Sequence, residues 1–153
     1  MNQEFSILNA RILIVDDQPV NVALLEQLLA ETGYRQVSSI MDPVSVCKQH
    51  EAEPFDLILL DLKMPVMDGF AVMEGLRKNT TDPYLPVIVL TAEPGHKLRA
   101  LQAGAKDFIS KPFDLIEVKT RIYNMLEVRL LYKKLANYSK LLEVATRQTA
   151  GTP

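Results

Sequence analysis

The chain has 153 residues, 48% of them hydrophobic and 24% charged, which suits one domain with a real core. Seventeen basic against nineteen acidic side chains leave a net charge of −2, arguing against both a nucleic-acid footprint and an acidic disordered chain. A single Cys makes no internal disulfide, the first ten residues carry no signal-peptide pattern, and no apolar run reaches the roughly 18 residues that span a bilayer. The expectation is a cytoplasmic protein without direct nucleic-acid or membrane contact.

Ile12-Leu13-Ile14-Val15 is continuous rather than alternating, the pattern of a strand buried on both faces, and it ends at Asp16-Asp17. Pro19 fits the first turn of a helix whose apolar face is Leu24, Leu25, Leu28 and Leu29, with Gly33 as its C-terminal cap. Val37 to Ile40 reads as a weaker second strand. Asp42-Pro43 then makes a cap and first turn for a short helix to about Glu51. Leu57-Ile58-Leu59-Leu60 is a third strand ending at Asp61, and the loop from Lys63 to Gly69 leads into a helix reaching about Lys78. Val87-Ile88-Val89-Leu90 is a fourth strand ending at Thr91, followed by a helix from about Gly95 to Ala103. Asp107-Phe108-Ile109 is a short fifth strand, broken by Ser110-Lys111-Pro112. Asp114 and Glu117 stand at capping-box spacing for a last helix. Five strands alternating with five helices predict an α/β fold: a doubly wound parallel sheet with right-handed crossovers.

The last helix outruns such a domain. No Pro or Gly occurs from Leu115 to about Thr146, and Val128, Leu131, Leu135, Tyr138, Leu142 and Ala145 follow at heptad a/d spacing. The expected division is an N-terminal extension (1–10), a domain (11–126), an extended or coiled-coil helix (127–147) pairing two copies as a homodimer, and a flexible tail (148–153). Arg129, Lys133, Lys134, Lys140 and Arg147 alternate with Glu127 and Glu143 and read as a solvated helix face. Cys47 reads as packing, and His50 and His96, lacking partners at metal-ligand spacing, read as surface residues.

The polar residues ending the buried strands carry the chemistry. Ligand sites of open parallel sheets lie beyond the carboxyl ends of the strands, where strand order reverses. With the order 2-1-3-4-5, Asp16, Asp17 and Asp61 crowd one crevice, and their repulsion calls for protons or a cation. An all-oxygen ligand set suits Mg²⁺. Asp61, ending the central strand, is the candidate nucleophile toward phosphorus, with a Thr91 hydroxyl and a Lys111 ammonium alongside. Asp56, at the opposite end of its strand, Asp68, a helix cap before Gly69, and Asp107 are weaker competitors. Lys63 and Glu93 flank the expected site.

Ile14-Val15-Asp16-Asp17, the run from Asp61 to Gly69, Leu90-Thr91-Ala92 and Lys111-Pro112, in this order and each at a strand end, resemble the receiver domain of bacterial two-component response regulators over about Arg11 to Leu126. The resemblance implies a flavodoxin-like (βα)5 fold in which Asp61 accepts a phosphoryl group from a histidine kinase or phosphotransfer protein. It further implies that Asp16, Asp17, Asp61 and the Lys63 backbone carbonyl hold Mg²⁺, that Lys111 pairs with a phosphoryl oxygen, and that the Lys111–Pro112 bond is cis. Thr91 and Phe108 are the implied switch pair, Thr91 swinging toward the phosphoryl group and Phe108 rotating inward. Such a domain switches an output domain or partner and is not itself an enzyme acting on a separate substrate. Two other readings stay open. An aspartyl-nucleophile phosphohydrolase or phosphotransferase commonly wants an acid two residues after the nucleophile, where this chain has Lys63. A receiver-like adaptor working without phosphorylation typically loses one of the acidic pair, the acceptor or the lysine. The segment from Val128 to Leu142 is similar to the linker before HD-GYP-type phosphodiesterase domains.

Overall fold

The structure, a computed structural model, describes residues 6–79 and 84–150. Each apolar run forms a strand: β1 (Arg11–Val15), β2 (Gln36–Ile40), β3 (Leu57–Asp61), β4 (Val87–Thr91) and β5 (Asp107–Ser110). All pair in parallel in the order β2-β1-β3-β4-β5. Between them lie α1 (Pro19–Thr32), α2 (Val46–Ala52), α3 (Gly69–Asn79) and α4 (Lys97–Gln102), and α5 (Leu115–Ala150) follows. The continuous runs are explained by burial on both faces. Leu13, Val15, Ile58, Leu60 and Val89 pack with Val46, Val72 and Leu76. Their neighbours Ile12, Ile14, Leu57, Leu59, Ile88 and Leu90 pack on the other face with Leu25, Leu29, Val118, Ile122 and Leu126.

Local chemistry sets the element ends. Asp42 accepts from the Val44 N–H at 3.1 Å, and Gly33 closes α1 at φ 106°, the left-handed region that costs glycine little. Asp114 accepts from the N–H groups of Ile116 and Glu117 at 3.0 and 3.2 Å. The reciprocal half of the expected capping box is replaced by a Glu117–Arg121 ion pair at 2.9 Å. Two expected helices open with a 3-10 turn, Pro43–Ser45 and Pro94–His96, because Pro starts each of them.

Four expectations from the sequence change. Residues 7–9 form a 3-10 turn whose Ile7 and Leu8 pack against the core, so this end of the expected extension belongs to the domain; residues 1–5 lie outside the described residues. The helix α5 runs through Gln148 to Ala150, past the expected end at 147, since no breaker precedes Gly151; residues 151–153 also lie outside the described residues. His50 is buried, not a surface residue: its Nδ1 accepts the Phe55 N–H at 3.0 Å, and its ring stacks on Phe55. Arg129 leaves the expected solvated face for the interior, whereas Lys133 stays partly exposed. Their cations converge on Asp56, at 3.4 and 2.9 Å, and Arg129 is only 5% exposed.

At 1.5 Å per residue, the 36 residues of α5 span about 54 Å. Val118, Ile122, Leu126 and Leu130 seat its first half on the body, whereas Leu131, Leu135, Tyr138 and Leu142 are exposed. No helix among the described residues is long and apolar enough to cross a membrane.

One glycine is fixed by close approach. A Cβ on Gly69 would lie 2.6 Å from the Asp61 carbonyl oxygen and 2.8 Å from Leu62 Cα, and backbone cannot yield. Gly69→Ala is expected to cost about 2 kcal/mol or more in urea unfolding, the scale of an overpacked core. Gly75→Ala, which meets only the movable Cys47 Sγ, should cost less.

Candidate functional site

Parallel pairing aligns the carboxyl ends of the strands, and four polar residues meet there. Asp16 follows β1, Asp61 ends β3, Thr91 ends β4, and Lys111 follows β5, its N–H donating to the Thr91 carbonyl at 2.8 Å. Oxygens of Asp16, Asp17 and Asp61 all lie within 4.8 Å of one another. Lys111 Nζ stands 3.2 Å from both Asp16 Oδ2 and Asp61 Oδ1. The Lys111–Pro112 peptide is cis. The competing acids lie elsewhere: Asp56 is buried beside Arg129 and Lys133, Asp68 caps α3 by accepting from the Ala71 N–H, and Asp107 pairs with Arg121.

The loop after β3 wraps Asp61. The Lys63 N–H donates to Asp61 Oδ1 at 3.3 Å, and the Gly69 N–H donates to the Leu62 carbonyl at 3.0 Å. Across the mouth, Lys63 Nζ pairs with Glu93 Oε1 at 2.5 Å, and His96 Nε2 lies 3.1 Å from Glu93 Oε2. These residues, with Gln18, Asp61, Thr91, Ala92 and Lys111, line a cavity of about 240 Å³. The sequence alone points to a surface position for His96, and its spacing of three from Glu93 is the signal of their contact.

Thr91 and Phe108 occupy defined positions. The Thr91 hydroxyl donates to the Glu93 carbonyl at 3.2 Å and accepts the Glu93 N–H at 3.0 Å, so it is engaged in the loop rather than with Asp61. Phe108 is half-buried at the core edge, with Lys97 Nζ 4.3 Å from its ring centre.

The electrostatics of the notch suit a cation. Asp16 Oδ2 and Asp17 Oδ1 are buried and accept no hydrogen bond, although Lys111 stands at ion-pair distance from the first. Buried carboxylate oxygens without donors are costly unless a cation supplies the missing charge. One ammonium facing three acids leaves a negative excess, and all-oxygen donors suit a hard divalent ion, so these residues fit Mg²⁺.

Burial pushes the Asp61 carboxyl up from its ordinary 3.8 to about 6; Lys111 opposes the rise, Asp16 adds to it, and the Lys63 N–H opposes it. The folded protein therefore holds this proton more tightly than the unfolded chain. Stability contributed by the protonated form is complete below about 3.8 and is lost as pH rises through about 6. With divalent ions chelated, Asp61→Asn should be more stable than the parent at pH 7.5, by about 1–2 kcal/mol. The gap should close toward pH 4, and Mg²⁺ should stabilise the parent more than the variant. Urea titrations at the two pH values check this.

The response regulator receiver domain family model matches residues 12–123. Over 131 residues the chain is 38% identical to response regulator PleD of Caulobacter vibrioides, covering 84% of this chain and 28% of PleD. Over 142 residues it is 31% identical to a probable cyclic di-GMP phosphodiesterase of Vibrio cholerae, covering 92% of this chain and 32% of that protein. The chain thus spans less than a third of either relative. Among solved structures it is similar to the receiver domain of a sensor histidine kinase of Pseudomonas aeruginosa, which holds a magnesium ion in its active site cleft. The TM-score is 0.71 at 32% identity, covering 78% of this chain and 98% of that one. With five parallel strands in the receiver order and an acidic pocket at their carboxyl ends, the chain belongs to the receiver domain family of two-component response regulators.

Proposed function

We propose that Asp61 is the phosphoacceptor of this receiver, loaded from a phosphohistidine of a sensor histidine kinase or phosphotransfer protein in the cytoplasm. The observation that carries this reading is the meeting of Asp16, Asp17, Asp61 and Lys111 at one notch, open to solvent through its mouth. An Asp61 carboxylate oxygen attacks phosphorus while the bond to the donor nitrogen breaks and the electron pair leaves with the imidazole. Lys111 already faces Asp61 and is placed to neutralise charge on a phosphoryl oxygen. Asp16, Asp17, Asp61 and the Lys63 carbonyl are the groups that would hold Mg²⁺, which when bound supplies further charge neutralisation. The Thr91 hydroxyl exchanges its bonds to Glu93 for one to the phosphoryl group, and half-buried Phe108 moves inward. The added charge biases one of two arrangements, and an output domain or partner responds.

Incubation with Mg²⁺ and a small phosphodonor is expected to add one phosphoryl mass to the parent and none to Asp61→Asn. An equal gain in both, read by intact-mass spectrometry, would put the acceptor elsewhere.

The partner of α5 is a second copy of the chain. Leu131, Leu135, Tyr138 and Leu142 are 64–67% exposed at a/d spacing, and such a stripe is self-complementary when two identical helices pair. Sedimentation should give a dimer for the parent and a monomer for Leu135→Glu with Leu142→Glu; the same mass for both overturns the pairing. The alignment with the Vibrio cholerae phosphodiesterase covers 92% of the chain, which supports reading α5 as the link to an output unit of that class.

A further inference from the structure

The strand that carries Asp61 at one end carries a second ionic cluster at the other. Asp56 immediately precedes β3, about 16 Å from Asp61 at 3.3 Å per residue, and is buried at the opposite end of this central strand. Its backbone N–H donates to the Arg11 carbonyl at 2.7 Å, and its Oδ2 accepts the Arg11 N–H at 2.9 Å, so the carboxylate is fixed by β1. Its Oδ1 faces α5, where it meets Arg129 Nε at 3.4 Å and Lys133 Nζ at 2.9 Å. Arg129 Nη1 also donates to the Tyr84 carbonyl, and the Tyr132 ring stacks on the Tyr84 ring at 4.2 Å and 2° between planes.

These contacts sit where α5 leaves the body. Leu126 and Leu130 are its buried seats at that end, and from Leu135 to Thr149 every described side chain is exposed except half-buried Ala136. A helix held only by apolar side chains can roll or slide at modest cost, because dispersion and hydrophobic burial are non-directional. A buried ion cluster gains little net stability over an apolar one, but it demands one geometry. Arg129, Tyr132 and Lys133 lie at i, i+3 and i+4, one face of one turn, and so fix rotation about the helix axis. Leu135 lies about 180° around that axis from Leu126, so this rotation aims the exposed stripe away from the sheet.

We infer that Asp56 is a positioning residue for output: with Arg129, Lys133 and the Tyr84–Tyr132 stack it locks the direction and rotation of the projecting half of α5 relative to the receiver body. This lock gives the phosphoacceptor end of the molecule a rigid lever. The inference rests on the reading of α5 as the output connection and does not require the dimer.

Spin labels at Lys48→Cys and Lys140→Cys, in a Cys47→Ser background diluted with unlabelled chain, report the distance between body and helix. The intact anchor should give one narrow distribution. Asp56→Asn combined with Arg129→Met, which removes both buried charges together, should at least double its width while the Mg²⁺-dependent phosphoryl gain at Asp61 persists. Lys133→Met, on a half-exposed side chain, should broaden it less. An unchanged distribution in the double variant overturns the lock; if that variant loses the phosphoryl gain by unfolding, an unchanged distribution in Lys133→Met overturns it instead. Sedimentation of the same proteins separates this result from the dimer: monomers with a narrow distribution refute the pairing and leave the anchor standing.

Discussion

Three carboxylates forced together without enough positive charge are the constraint on which this molecule depends. β1 and β3 are buried neighbours, so the acids that end them cannot separate without breaking the sheet. The repulsion and desolvation are visible in the raised Asp61 carboxyl, and in the buried oxygens of Asp16 and Asp17 that accept no hydrogen bond. Such a notch holds favourable free energy in reserve for whatever brings positive charge to it. That is the physical basis on which the proposed site would take a dication and, with its charge, an activated phosphoryl group.

The sheet gives this notch its stiffness. Strands buried on both faces leave Asp61 no freedom to retreat, and the loop after it is tied back by the Lys63 and Gly69 N–H groups. Around this floor the remaining groups are peripheral: the Thr91 hydroxyl, half-buried Phe108, and the Lys63–Glu93–His96 contacts across the mouth. Exposed ion pairs of that last kind contribute little to stability, so they close the mouth without sealing it. At the far end, Asp56 holds α5 with a second set of charges. β3 is thus polar at both ends and apolar between them, with chemistry at one end and the helix attachment at the other.

How much of this the sequence disclosed follows from the range of the interactions. β1, β3 and β4 were legible because a strand buried on both faces writes a continuous apolar run, whereas β2 and β5 left weaker patterns, and the site was legible because its polar residues lie at strand ends. The caps at Asp42, Gly33 and Asp114 were equally local. The burial of His50 is not legible because its partner, the Phe55 N–H, lies in the loop after α2, whose geometry no periodicity records. Arg129 and Lys133 were misjudged because their carboxylate lies 73 and 77 residues away in the chain.

By itself, then, the sequence determined the α/β class, the strand ends that carry Asp16, Asp17, Asp61, Thr91 and Lys111, and the heptad stripe on the last helix. Those features arise from hydrophobic periodicity and turn chemistry, which act between near neighbours. Only the tertiary structure decided which side chains meet across the notch, that Thr91 is engaged with Glu93, and that Asp56 beside β3 pairs with Arg129 and Lys133 of α5. Those pairings depend on where distant segments come to rest when the sheet closes, and charges carry no mark in one dimension of the partner they will find in three.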